Sequence, residues 1–220
     1  YNPAQDLKGA LKAAKKEHRP ALPRAELPEF YRRLAVEPLN PATRLAFHLL
    51  MLTMTRPGEV RFARWDEFDM ERAEWRIPAE RMKKRKPHNI PLTEQSLALL
   101  ELLRPISGHR EFLFPGQRDP MTHTNEQTAN AALKRMGLKG KLVAHGLRAL
   151  GSTTLNEKGF DADVIEAALA HSDKDEVRSA YNRTDYLDRR REMMAWWSKH
   201  IEQAASVGSA LTWKPSVIAS

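Results

Sequence analysis

The sequence contains no cysteine, which excludes disulfide bonds, thiolate nucleophiles and cysteine-ligated metal sites. No apolar run approaches the roughly 20 residues of a membrane-spanning helix, so no membrane partner is expected. The P-loop, His-Glu-x-x-His and Gly-x-Ser-x-Gly motifs are missing. The acidic residues do not form the clusters that hold the ions of a two-metal nuclease. These absences favour a chemistry without a metal or another cofactor.

Positive charge is what the chain has in excess. Its 220 residues include 36 lysines and arginines against 28 aspartates and glutamates, a formal net charge of +8, and the isoelectric point is about 9.8. This balance favours a polyanionic partner, most commonly nucleic acid, although the charge could also serve solubility alone. The length suits one well-filled domain or a domain with an extension. The start at Tyr1, without methionine, predicts a fragment whose N-terminal part is missing.

The apolar pattern predicts a mainly α protein with a small antiparallel β-sheet, an α+β class. Helical spacing dominates, and Asn40 followed by Pro41 is a typical start for the strongly apolar helix that comes next. Three short extended segments suit a small antiparallel sheet. The predicted helices cover 6–17, 25–36, 42–54, 93–103, 124–137, 145–158, 161–171 and 185–201, and the predicted strands cover 64–69, 74–77 and 88–91.

Arg56 directly follows the apolar helix, where a charged side chain needs a partner. Glu59 could be that partner and could orient the guanidinium; a purely structural ion pair is the alternative. A basic run then lies between two predicted strands, so that one lysine could protonate a leaving 5′ oxygen while the others bind DNA phosphates. The alternative for this run is a solvated loop. Its members are Arg81, Lys83, Lys84, Arg85 and Lys86.

His145 and Arg148 are three residues apart and would share one face of a helix. Arg148 could complete a two-arginine clamp on a phosphate, and His145 could move a proton near neutral pH. His171 follows an apolar helix, where a capping or core histidine is the alternative reading. Tyr181 could be a nucleophile if cations surround its phenol; packing is the alternative. Tyr186, a second candidate nucleophile, looks more like part of the last helix.

The order Arg, Lys, His-x-x-Arg, His, Tyr resembles that of the tyrosine recombinase (phage integrase) family, in particular its prophage and genomic-island branch. The likeness covers about residues 25–201. One departure is Ala170, because the family often has glycine before the third-box histidine. The segments that carry the resemblance are Thr55-Arg56-Pro57-Gly58-Glu59, Met82-Lys83 through Ile90-Pro91-Leu92, His145-Gly146-Leu147-Arg148, Leu169-Ala170-His171-Ser172 and Ala180-Tyr181-Asn182-Arg183.

The resemblance implies a tyrosine recombinase catalytic-domain fold and a defined reaction. Tyr181 would attack the scissile phosphate, giving a 3′-phosphotyrosine and a free 5′-hydroxyl, without ATP or metal. The roles of the other side chains follow from the same resemblance. Arg56 and Arg148 would stabilise the transition state, Lys83 would protonate the leaving oxygen, His145 would accept the tyrosine proton, His171 would bind a phosphate oxygen, Glu59 would support Arg56, and Arg81, Lys84, Arg85, Lys86 and Arg183 would bind DNA.

The same resemblance implies how the chain is organised and what it binds. Residues 1–24 would be a linker from missing DNA-binding domains, 25–201 the catalytic domain and 202–220 a C-terminal tail. Double-stranded DNA with attachment sites would be the partner, bound by a homotetramer that is monomeric when free, with accessory DNA-bending proteins possible and the cytoplasm of a bacterial host as the location. Two alternatives remain open at this stage: a non-catalytic helical DNA-binding protein and a type IB-like topoisomerase.

Overall fold

The structure is a computed structural model, and it describes residues 20–171 and 186–208. Eight α-helices and one three-stranded sheet make up this part of the chain. The helices are α1 (Leu27–Val36), α2 (Pro41–Thr53), α3 (Pro57–Arg61), α4 (Glu94–Ser107), α5 (Gln127–Arg135), α6 (Gly146–Lys158), α7 (Ala162–Ala168) and α8 (Leu187–Gly208); the strands are β1 (Phe68–Asp69), β2 (Glu74–Ile77) and β3 (His88–Pro91). The predicted fold class is thereby confirmed.

Helix α2 is the centre of the packing, as its apolar sequence predicts. The Asn40 side chain accepts a hydrogen bond from the Ala42 amide at 2.9 Å, so it caps the helix as expected. Residues 49–53 of α2 are buried, and the helix packs against α4, α6 and α8. The indole N–H of buried Trp197 on α8 donates to the carbonyl oxygen of Met51 at 2.7 Å, which joins the two helices at the core.

The sheet is antiparallel in the order β1-β2-β3. Strands β2 and β3 have the predicted bounds, and their register pairs Ile77 with His88. The first strand is shorter than predicted, since Trp65–Glu67 form a 3-10 turn instead. The buried side chains of β2 and β3 face the core. The basic run therefore lies in the connection between two paired strands, beside the core and not in a free tail.

Several helix bounds differ from the sequence-based ones: α5 is shorter at both ends than 124–137, and α3 was not predicted. Helix α4 extends beyond Leu103 to Ser107, and α8 extends to Gly208. Helix α7 stops at Ala168 instead of reaching His171, because Ala170 takes up a left-handed conformation with φ of 46°, which an α-helix cannot contain. The residues after α7 consequently form a turn whose carbonyls do not continue the helical bonding pattern and can accept other donors. The predicted helix over 6–17 lies outside the described residues.

Candidate active site

Arg56 is held at the start of α3 by a reciprocal pair with Glu59. Its guanidinium donates through Nη1 to Glu59 Oε1 at 2.7 Å, and its backbone amide donates to Glu59 Oε2 at 2.7 Å. The Glu59 side chain is only 6% exposed, while that of Arg56 is 23% exposed. A buried carboxylate with two donors in place is a rigid support. The guanidinium is thus oriented and still reaches solvent.

Arg148 lies on α6 and is buried, with 5% exposure. Nη1 donates to the carbonyl oxygen of Met54 at 2.9 Å, and Nη2 donates to that of Leu169. Met54 presents its carbonyl there because α2 ends at this residue in a left-handed conformation, with φ of 52°. Two of the five guanidinium N–H groups are satisfied in this way, which leaves three for a ligand.

The turn after α7 brings the two arginines together. Arg148 donates to the carbonyl oxygen of Leu169, and Arg56 donates through Nη2 to that of Ala170 at 3.2 Å. Burial and the nearby charge of Arg56 lower the pKa of Arg148 to about 10, the direction expected for a buried cation next to another cation. Two guanidiniums on successive carbonyls form a site for an anion with two acceptor oxygens.

Lys83 lies in the connection between β2 and β3, and it is exposed like Lys84, Arg85 and Lys86. It lines a cleft of about 1310 Å³ to which Arg56 and His145 also contribute. The basic lining outnumbers the carboxylates Glu59, Glu80 and Glu126, so the cleft suits a polyanion. The basic residues along it are Arg56, Arg61, Arg64, Arg81, Lys83 and Arg110.

Arg81 has a more enclosed position than the rest of the basic run. Its guanidinium donates to the Glu67 carboxylate and, at 2.7 Å, to the carbonyl oxygen of Glu59, and its side chain is 16% exposed. Glu67 also accepts from the indole of Trp75 at 2.9 Å. These bonds join the lysine-bearing connection to α3, which begins after Arg56. Since the Arg81 guanidinium is already bonded within the protein, its contact with DNA stays a prediction.

His145 is the N-cap of α6, half-buried beside the cleft, three residues before Arg148. His171 lies just beyond the turn that holds the two arginines, and its Nδ1–H donates to Glu166 Oε2 at 2.8 Å. Glu166 therefore fixes the orientation of the His171 ring. Neither Arg148 nor His171 lines the cleft; Arg56 is the residue common to the cleft and the turn.

The predicted nucleophile Tyr181 and Arg183 lie outside the described residues. Tyr186, the second candidate, directly precedes α8 and is half-buried against the core. The Arg189 guanidinium lies 5.7 Å from the centre of its ring. The carbonyl oxygen of Tyr186 accepts the Arg190 amide at 2.8 Å, so this tyrosine precedes the last helix by one residue and accepts its first bond, instead of lying inside it.

Two side chains at the site were given no role on the basis of the sequence. His88, at the start of β3, and Arg190, on α8, are both buried. Arg190 donates to the carbonyl oxygens of Asn89 at 2.6 Å and Ala167 at 3.4 Å. His88 lies two residues after the end of the basic run, which is the signal that could have drawn attention to it.

Across 20–171 and 186–208 no three histidine or carboxylate side chains are grouped closely enough to hold a metal ion. The helices within the same ranges include none with the length and apolarity to cross a membrane. The described side chains of the site are guanidinium, ammonium and imidazole groups, supported by the carboxylates of Glu59 and Glu166. Such groups bind and protonate phosphate oxygens.

Known proteins resemble this chain over most of its length. The phage integrase family matches residues 20–187. Prophage integrase IntA of Escherichia coli strain K12 is 48% identical over 210 residues, covering 96% of this chain and 51% of the relative. The integrase of Enterobacteria phage P4 is 43% identical over 217 residues, covering 91% of this chain and 49% of the relative. The chain spans about half the length of these curated relatives.

A solved structure shares the fold. The lambda integrase tetramer bound to a Holliday junction superposes with a TM-score of 0.56 and 22% sequence identity, over 80% of this chain and 52% of the solved chain. At that identity the likeness concerns the fold, and it agrees with the catalytic-domain fold expected from the sequence.

Proposed function

The chain belongs to the phage integrase family, and from that membership we propose that it cleaves and rejoins DNA at specific sites through a 3′-phosphotyrosine intermediate. We propose DNA as the substrate, strand cleavage and rejoining as the reaction, and a role in it for each of the residues named below. The family match, the basic cleft and the paired guanidiniums support it together. The positive charge of the whole chain is consistent with a DNA substrate.

The proposed reaction needs no atom from outside the protein and its DNA. The phenol oxygen of Tyr181 forms a bond to the scissile phosphorus as the bond to the 5′ oxygen breaks. His145 accepts the phenol proton, and Lys83 donates a proton to the leaving oxygen. The new phosphodiester conserves the bond energy, so a 5′-hydroxyl from another strand can attack it and release Tyr181. Rejoining is the same step in reverse.

The arginines and His171 act on the phosphate. Arg56 and Arg148 each retain N–H groups that are not bonded to the protein, and these would bind the two non-bridging oxygens while negative charge grows on them. His171, oriented by Glu166, would donate to one of the same oxygens. The observation that carries the proposal is the attachment of both guanidiniums to successive carbonyls, those of Leu169 and Ala170. This attachment fixes the spacing of the clamp before DNA arrives.

The proposal extends to assembly and domain organisation. Residues 25–201 would form the catalytic domain, with 1–24 as a linker and 202–220 as a tail, although Ala204 and Ala205 of α8 are buried with the same core. We expect a monomer in free solution and a tetramer on attachment-site DNA, with accessory DNA-bending proteins in some reactions. Since DNA is the substrate, we expect the protein to act in the cytoplasm of a bacterial host.

A nicked suicide duplex tests the chemistry directly. After cleavage the short 5′ fragment diffuses away, so the covalent adduct accumulates and is visible as a shifted band on a denaturing gel. We expect an adduct with the unaltered protein and none with Tyr181→Phe, while Tyr186→Phe retains it. An undiminished yield from Tyr181→Phe would refute the nucleophile assignment. Reversible gel shifts without any adduct would favour a DNA-binding protein, and strong relaxation without strand exchange would favour a topoisomerase.

A further inference from the structure

The turn that ends α7 is surrounded by basic side chains. Its four successive backbone carbonyl oxygens, from residues 167–170, each face one of these side chains. Arg190 donates to Ala167, Arg148 to Leu169 and Arg56 to Ala170, and the buried ring of His88 lies at the carbonyl of Ala168. Two of these four side chains are the arginines of the proposed clamp. The other two, His88 and Arg190, have no role in the reaction proposed above.

His88 connects this turn to the lysine-bearing connection. It is the first residue of β3, paired with Ile77, and only 8% of its surface is exposed. The next residue, Asn89, has its carbonyl oxygen bonded to Arg190 at 2.6 Å. The start of β3 is therefore joined to the end of α7 through His88 and to α8 through Arg190.

The charge state of His88 suits this location. Burial lowers the pKa of its ring to about 3, and the positive charges of Arg190, Arg148 and Arg56 act in the same direction. The ring is consequently neutral at the pH at which DNA is handled. A neutral imidazole donates one N–H bond without adding a further cation to three guanidiniums.

We propose that His88 is a positioning residue, whose N–H bond to the Ala168 carbonyl fixes the turn on which Arg148 and Arg56 are spaced. The proposal rests on the proposed function, because the arginines matter through the phosphate they bind. The same bond would hold β3, the strand that follows Lys83, in a fixed position relative to the turn after α7. Loss of the bond would leave the carbonyl of Ala168 without this donor, directly before the two carbonyls that hold the arginines.

Two substitutions separate the hydrogen bond from the volume. His88→Leu removes the donor, whereas His88→Gln keeps a neutral N–H donor of similar reach. We expect His88→Leu to lower the rate of adduct formation by on the order of 10- to 100-fold, as displacement of a catalytic group by about an ångström does, and His88→Gln to keep most of the rate. If His88→Leu does not fold, His88→Met provides a more adaptable side chain without a donor.

His48 provides the matched control. It is also 8% exposed, burial lowers its pKa to about 3, and it stacks on Tyr31 at a ring distance of 5.4 Å, within the core and away from the turn. His48→Leu should lower thermal stability without a selective loss of cleavage. Equal losses of rate and stability in His48→Leu and His88→Leu would show that His88 is only a core residue and would overturn the proposal.

A substrate with altered charge reports on the arginines specifically. A methyl group in place of one non-bridging oxygen makes the scissile phosphate neutral, so the reaction depends less on the two guanidiniums. If His88 acts through the clamp, the defect of His88→Leu should shrink on this methylphosphonate duplex. A defect of the same size on both substrates would contradict a role through the arginines.

A spectroscopic measurement keeps this proposal separate from the proposed function. The Nε–H resonances of Arg56 and Arg148 should shift or broaden in His88→Leu and stay in place in His88→Gln. Unchanged spectra in His88→Leu would overturn the positioning role, whatever the activity. An unaltered protein that forms no adduct would overturn the proposed function instead, and these resonances would still decide whether His88 fixes the arginines.

Discussion

Replacing Glu59 by glutamine should uncouple Arg56 from its support while preserving the shape of the side chain. The carboxylate accepts two hydrogen bonds from Arg56, at Oε1 and Oε2, both of 2.7 Å. Glutamine offers one oxygen and one NH2 group, so one of the two donors of Arg56 would face another donor. Because Glu59 is 6% and Arg56 23% exposed, solvent does little to replace the lost bond.

The magnitude follows from the kind of bond that is lost. A hydrogen bond to a charged group contributes about 1.5 to 3 kcal/mol, so the free energy of unfolding should fall by about that amount. For a chain of this size the melting temperature would drop by about 3 to 12 °C. The rate of cleavage should also fall, by more than the loss of folded protein explains, since Arg56 would no longer be oriented toward the phosphate. The displaced guanidinium could lower the rate of adduct formation by up to about 100-fold.

Urea unfolding and the suicide-duplex assay measure the two effects on the same preparations. Glu29→Gln is the matched control, because Glu29 also bonds to two arginine guanidiniums, those of Arg32 at 2.5 Å and Arg33 at 2.7 Å. The side chain of Glu29 is 39% exposed, far more than that of Glu59, and it lies outside the site, so its replacement should affect both measurements much less. Similar small effects in Glu29→Gln and Glu59→Gln would refute the argument from burial. A destabilised Glu59→Gln with a normal cleavage rate would refute the role assigned to Arg56.

Three further outcomes are expected. The free energy of unfolding should fall as the pH is lowered from about 6.5 toward 3, because His48 and His88 take up protons in the unfolded chain but not when buried, where the pKa of each is lowered to about 3. Each histidine contributes up to about 1.4 kcal/mol per pH unit. In urea unfolding, the free energy of unfolding of His48→Leu should therefore depend less steeply on pH. Gly159→Ala should lower the free energy of unfolding by about 1 to 2 kcal/mol, because φ at this residue is 89°. Gly58 has equally few close neighbours but an ordinary φ, so Gly58→Ala should not destabilise the protein in the same urea assay. Lys83→Ala should slow cleavage of ordinary DNA but not of a duplex with sulfur at the leaving position, since a thiolate departs without a proton. Lys84→Ala, which removes only a proposed phosphate contact, should change cleavage of the two substrates equally; a Lys83→Ala defect of equal size on both would contradict proton donation.

The sequence predicted those elements whose local signals agree with their packing. The Asn40 cap and the apolar run located α2, and short extended segments located β2 and β3. The end of α7 could not be predicted in the same way. Its periodicity continues toward His171, but the helix is closed by local backbone bonds, from the His171 amide to the Glu166 carbonyl and from the Ala170 amide to the Ala167 carbonyl. The left-handed residue of this cap is Ala170, where glycine would be the usual sequence signal.

The three consecutive arginines 189–191 show the same limit at the level of side chains. Each step along a helix turns the side chain by about 100°, so neighbours in sequence meet different surroundings. Arg189 pairs with Asp161 at 2.8 Å near the surface, Arg190 is buried and bonded to the carbonyls of Asn89 and Ala167, and Arg191 pairs with Glu74 at 2.8 Å. From the sequence alone the three residues form a single basic stretch, and their three different surroundings cannot be predicted.

The way Arg148 is held explains why this arginine keeps its charge for a ligand. Arg148 is bonded to the backbone carbonyls of Met54 and Leu169, which fix the guanidinium through dipoles without neutralising it. A carboxylate in their place would hold Arg148 equally firmly but would cancel the charge that a phosphate needs. The consequence is a cation that is disfavoured in the free protein, and its pKa is lowered to about 10 by burial and by Arg56. A bound phosphate would supply the missing negative charge, so the arrangement that makes the empty site costly is also what makes anion binding favourable and stabilising.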